Sequence, residues 1–219
     1  MTFVIFDTEY TSWKGCQEHG WTGNQKKEIV QISALKVSDN LEVVAEYNAL
    51  CKPFINPVLS DYFINLTHIT NEQLQEQGIS FAEAFKKFAE FAGNDICYSH
   101  GWGADYFHKS DGEIVEENLR LQNISSSHDL IYRNIAPVFK HLYTENHIDV
   151  KSQSSGQIAE ILGIKHNMEN LGLNPHNSFY DVYSILEGLK YFYPRSLEVL
   201  NFFENNMANQ EFLQSIPPL

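Results

Sequence analysis

Positive charge is what this 219-residue chain has least of: 15 lysines and arginines face 28 aspartates and glutamates, a formal net charge of −13. Affinity for a polyanion comes mainly from cations that neutralise phosphates, so this balance excludes broad electrostatic wrapping of nucleic acid. Cysteine is sparser still. Cys16, Cys51 and Cys97 are odd in number and widely spaced, which excludes a disulfide framework or a paired metal knuckle and fits a reducing cytoplasm. Cys16 and His19 have a spacing that suits zinc, but no second pair follows, and inert thiols are the preferred reading. Long apolar runs are missing too, since nothing approaches the roughly twenty residues of a membrane-spanning helix. The chain runs straight into Thr2-Phe3-Val4-Ile5-Phe6 without a basic leader, so a soluble cytoplasmic protein is expected. Repeats, low-complexity tracts and Gly/Ser-rich linkers are absent as well. One domain over 1–219 is therefore expected, with a core of about 1–193 and a tail over 194–219.

The run Phe3 to Phe6 is β-rich and ends at Asp7; Ile29 to Val37 reads as a second strand. Ser38-Asp39-Asn40 is a turn, and Leu41 to Cys51 completes an antiparallel meander. Beyond Pro53 and Pro57 the period changes. Phe81, Phe85, Phe88 and Ala92 recur at helical spacing behind Ser80, a suitable cap. A short strand over Ile96–Ser99 precedes further helical material, including segments around Gln157–Leu162 and Val182–Tyr193. Paired strands first and interleaved helices later indicate an α/β domain whose helices cover a central sheet. The tail carries Leu197, Leu200, Phe202 and Phe203, and is expected to fold back as helix or to supply a homodimer contact.

Three groups of residues could carry chemistry. Asp7 and Glu9 end the first strand, and the period-two alternation of strand side chains turns both carboxylates to one face. They can share a hard cation such as magnesium, which would restore local positive charge to an acidic protein; the bland alternative is an exposed acidic strand end. His176-Asn177-Ser178-Phe179-Tyr180-Asp181 opens an apolar-periodic helix marked by Val182, Ile185, Leu186 and Leu189, which Asn177 or Ser178 can cap. Positions five apart diverge on a helix, so His176 serves best on the preceding loop, with Asp181 one turn inside. In Ser99-His100-Gly101-Trp102-Gly103-Ala104-Asp105 a strand ends and glycines permit a tight turn. Asp105 then either faces the strand ends or is a helix-start residue favoured by the dipole.

Together, Phe6-Asp7-Thr8-Glu9, Asp105 after a central strand, and His176 with Asp181 at the start of a late helix resemble the DEDDh 3′–5′ exonuclease superfamily, of the RNase T and DNA polymerase III proofreading-subunit type. The likeness runs from the first strand to about Tyr193. Leu66-Thr67-His68-Ile69-Thr70, followed by Glu72, is similar to the family's Leu-Thr-x-Ile-Thr segment, and Glu28 to Ala34 resembles its second strand. The sequence looks closest to the Eri-type and sporulation-inhibitor-type exonucleases. His176 decides the branch, because tyrosine-containing relatives would place a tyrosine where Asn177 stands. The spacing at Gly101-Trp102-Gly103 departs from the commonest form.

The resemblance implies an RNase H-like fold, a central mixed five-stranded sheet flanked by helices. It also implies two divalent cations, Mg2+ or Mn2+, held by Asp7, Glu9, Asp105 and Asp181. His176 would be the general base, a role that suits an imidazole titrating near neutrality. The expected activity is hydrolysis of single-stranded nucleic acid, RNA or DNA, from its 3′ end to nucleoside 5′-monophosphates. Thr8, Leu66, Thr67 and Phe63 are the candidate substrate contacts. Tyr10, Trp13 and Trp21 interleave with Lys14, Lys26 and Lys27 in a long segment that is either a substrate-facing loop or an ordered insertion. Two other functions stay in view: a phosphodiesterase for dinucleotides or other small phosphoesters, which suits the acidic surface, and a catalytically silent nucleic-acid-binding module.

Overall fold

The computed structural model describes residues 2–103, 105–126, 128–150 and 154–192. The tail expected over 194–219 lies outside them. The first apolar run forms β1 (Thr2–Tyr10), longer than expected because Asp7, Thr8 and Glu9 continue the ladder opposite Ser33, Ile32 and Gln31 of β2 (Ile29–Ser38). Between them lies a single helical turn, α1 (Cys16–His19). The expected turn follows, with Leu41 at φ 60° and its N–H bonded to the Ser38 carbonyl. The chain returns as β3 (Val43–Lys52), which completes the meander.

Two short capped helices come next, α2 (Asp61–Thr67) behind Ser60 and α3 (Asn71–Gln77), whose Thr70 and Gln73 form a reciprocal capping box. A two-residue strand, β4 (Ile79–Ser80), leads into α4 (Phe81–Ala92), where Ser80 accepts from the Glu83 N–H as expected of a cap. After β5 (Cys97–Ser99) come α5 (Asp111–Leu121), β6 (Tyr132–Asn134), α6 (Ala136–Glu145), the short α7 (Ile158–Ile161) and α8 (Ser178–Phe192).

Among the described residues the sheet has six strands in the order β4-β3-β2-β1-β5-β6. β5 and β6 run parallel to β1, so the sheet is mixed. The expectation was five strands. β4 and β6 span two and three residues, too few for any period to show in sequence.

The sheet has an apolar layer on each face. Ile5 of β1 packs with Leu35, α6 and α8, whereas Val4 and Phe6 pack with α4 and α5. This alternation positions the site: Asp7 and Glu9 share the parity of Ile5 and face α8, while Thr8 shares that of Phe6 and faces α5. No described helix is long and apolar enough to cross a membrane.

Candidate active site

The start of α8 is docked on β2 by polar contacts. Ser33, opposite Asp7, shares a 2.6 Å hydrogen bond with Ser178, and Gln31, opposite Glu9, accepts from the Ser178 N–H at 3.1 Å. Asn177 caps the helix by accepting from the Phe179 N–H. Asp181 thus comes to lie over the face that carries Asp7 and Glu9, and one carboxylate oxygen from each of the three lies within 4.8 Å of the others. Asp7 and Asp181 are buried.

Two residues that the sequence did not single out complete this side. Ser155 donates to Asp181 Oδ2 at 3.1 Å. Gly156 leaves the Asp181 carboxylate its space, since a Cβ there would stand 2.4 Å from Oδ1. His176 lines the same cleft, of about 390 Å³, from its exposed mouth. It sits on the loop before α8 at φ 67°.

The fourth carboxylate differs from the expectation. Asp105 does not line the cleft; its carboxylate accepts from the Phe107 and His108 N–H groups at 2.9 and 2.8 Å and closes a local turn. The place belongs to Asp111, the first residue of α5. Its Oδ1 accepts from Thr8 Oγ1 at 2.6 Å, its Oδ2 from Ser110 at 3.3 Å, and its N–H donates to Ser99 Oγ at 3.3 Å. The physical reason is the excursion between β5 and α5. Tyr106 dives into the core, and Ser110 folds back against Gly101, where a Cβ would lie 1.5 Å from Ser110 Oγ. The glycine turn therefore serves a helix that starts at Asp111.

All four carboxyls have raised pKa values, with burial the first cause in each. For Asp7 and Glu9 burial is the main cause, followed by repulsion from the neighbouring carboxylates. Burial also raises Asp111, against the bond from Thr8, and pushes Asp181 up to about 7 in spite of Ser155. Desolvation lowers the pKa of His176, which favours the neutral imidazole.

Of the candidate substrate contacts, Thr8 and Leu66 line the cleft, and Tyr62 joins Leu66 one turn away on α2. Phe63 and Thr67 do not. Phe63 is buried against Val30 and Leu74, and Thr67 turns inward to donate to the Phe63 carbonyl. The segment after Glu9 is ordered and borders the cleft through Tyr10, Ser12 and Gln17. Cys16 is a free, buried thiol.

A family model described as an exonuclease, RNase T, matches residues 4–189. The chain belongs to the RNase T exonuclease family. It falls within the DEDDh exonuclease superfamily, and a DEDDh family member is among its structural neighbours. A PolC-type DNA polymerase III from Staphylococcus haemolyticus is 31% identical over 104 residues, covering 48% of this chain and 6% of that protein. The chain thus spans a small fraction of the curated relatives it matches. The nuclease domain of 3′hExo, a DEDDh family member bound to rAMP, superposes with a TM-score of 0.60 at 19% identity, covering 91% of this chain and 92% of that one. E. coli exonuclease I in complex with a dA16 oligonucleotide superposes with a TM-score of 0.67 at 17% identity, covering 94% and 45%. This RNase T family member shares the RNase H-like fold with both.

Proposed function

We propose that this chain is a metal-dependent exonuclease that shortens single-stranded nucleic acid from its 3′ end and releases nucleoside 5′-monophosphates. The observation that carries this reading is the meeting of Asp7, Glu9, Asp111 and Asp181 with His176 in one cleft. Crowding four carboxyls into one cleft, two of them buried, is costly unless a cation joins them. No described lysine or arginine forms an ion pair with any of them. Asp181 Oδ1 is buried without a hydrogen-bond partner. An all-oxygen set with surplus negative charge and an orphaned lone pair fits hard divalent ions, and the four carboxylates would hold two of them, Mg2+ or Mn2+. When bound, such ions clamp a scissile phosphate and stabilise the attacking and leaving oxygens.

His176, kept neutral by desolvation, takes the proton of the attacking water. Thr8 and Ser155 hold the carboxylates in place from either side. Leu66 and Tyr62 offer the terminal base a surface that tolerates any sequence. Nucleic acid as the substrate class is supported by the rAMP and dA16 complexes of the structural neighbours.

The test is mononucleotide release from 3′-labelled and 5′-labelled single-stranded RNA and DNA with magnesium or manganese, for wild type and His176→Ala. Metal-dependent shortening from the 3′ end that falls at least about a hundredfold in the variant is expected. If long strands stay intact while dinucleotides are cleaved, the small-phosphoester reading replaces this one.

A further inference from the structure

Beside the cleft, three aromatic rings surround one lysine. The Lys27 ammonium lies 4.4 Å from the ring centre of Trp21 and 5.6 Å from those of Tyr10 and Trp102. Tyr10 and Trp102 line the cleft itself, and Trp102 is 57% exposed there. The cluster is built on rigid parts. Asn118 of α5, fully buried, donates to the Lys27 carbonyl at 2.8 Å and accepts from the Ile29 N–H at 3.0 Å. The same helix carries Asp111 at its start, so Lys27 is tied to the framework that bears the acidic site. The Trp21 indole donates to the Thr11 carbonyl at 2.9 Å, one residue beyond the end of β1.

The charge of Lys27 is unspent. Lys36, Lys86, Lys87, Lys109 and Lys190 each pair with a carboxylate. Half-buried Lys27 has none within ion-pair distance among the described residues, in a chain of net charge −13. Aromatic rings attract an ammonium through their quadrupoles without neutralising it, so its field stays available to an incoming anion. A carboxylate in the same place would cancel it.

We propose that Lys27 is a phosphate-binding residue of an upstream subsite. Its ammonium takes a backbone phosphodiester of the strand entering the cleft, and the exposed face of Trp102 supports a base of the same strand. This rests on the exonuclease reading and deepens it: the enzyme would grip a polymer beyond its terminal nucleotide, through one point charge instead of a basic surface.

The experiment is binding of a nuclease-resistant single-stranded phosphorothioate oligonucleotide, followed by fluorescence anisotropy over a series of salt concentrations, for wild type, Lys27→Met and Lys27→Arg. Lys27→Met should weaken binding about tenfold at low salt, as expected for one charged hydrogen-bonding group. It should also make the slope of log affinity against log salt shallower by about 0.7, the release of one counterion from a single strand. Lys27→Arg should keep the slope. With an unmodified strand, the loss in Lys27→Met should fall on KM more than on kcat. Wild-type affinity and slope in Lys27→Met overturn the proposal, as does wild type that binds no oligonucleotide. Weaker binding with an unchanged slope also overturns it, because it marks Lys27 as a packing element. Lys27-dependent binding without any hydrolysis would instead overturn the exonuclease reading and leave the subsite standing.

Discussion

Asp111 and Asp105 are the same residue type six positions apart in one loop-to-helix segment, and their surroundings give them different work. Asp111 lines the cleft with three other carboxyls and is held by Thr8, whereas Asp105 closes a turn by accepting two N–H groups. Asp111→Asn should therefore lower kcat by at least about a hundredfold, as expected when a carboxylate proposed to hold the cations is lost. Asp105→Ala should instead cost about 1 kcal/mol of stability, the scale of a lost cap. Mononucleotide release and urea unfolding of both variants check this; equal losses of kcat would remove Asp111 from the site. Asp7, Glu9, His176 and Asp181 were legible because each is placed by a local rule, strand alternation or a helix start. Asp111 was not, because the glycine turn precedes two aspartates. Only the run Ile114, Val115 and Leu119 behind Asp111, on the apolar side of a helix that starts there, favours it.

At the scale of elements, α5 joins the acidic site, β2 and the segment after Glu9 through one buried side chain. Asn118 bonds the Ile29 N–H, the Lys27 carbonyl and the Ile114 carbonyl. Asn118→Ala leaves buried backbone groups without partners and should destabilise the protein by about 2–3 kcal/mol, read from the urea midpoint. Binding of the oligonucleotide should weaken as well, since Lys27 and Asp111 lose their common support. A variant with wild-type stability would show that this bond set is dispensable. The longer elements, β1 to β3, α4 and α8, announced themselves by period and caps. The short ones did not: β4 and β6 are stabilised by their neighbours in the sheet rather than by any pattern of their own.

For the whole molecule, the clustered acids should couple folding to pH and to any divalent cation they hold. Ordinary Asp and Glu carboxyls titrate at 3.8 and 4.5, while the site raises all four and brings Asp181 to about 7. Between those values the metal-free folded state binds more protons than the unfolded chain, so the unfolding free energy falls as pH rises. The contribution of Asp181 is fully present below about pH 4 and is lost as pH climbs through about 7. In EDTA, then, the Tm of wild type relative to Asp181→Asn should fall between mildly acidic and mildly alkaline pH. Magnesium or manganese should restore it at alkaline pH by binding the folded state alone. A Tm difference independent of pH would contradict the shared burial of these groups. The sequence by itself determined the strand that bears Asp7 and Glu9, the helix that bears Asp181, and the family type, because period, capping and residue order are local properties of the chain. Only the tertiary structure decided that Asp111 and not Asp105 lines the cleft, that Phe63 and Thr67 turn away from it, and that Ser155 and Lys27 lie beside it. Those outcomes depend on which side chains each segment buries and which it turns to the cleft, a competition for space that local patterns record only weakly.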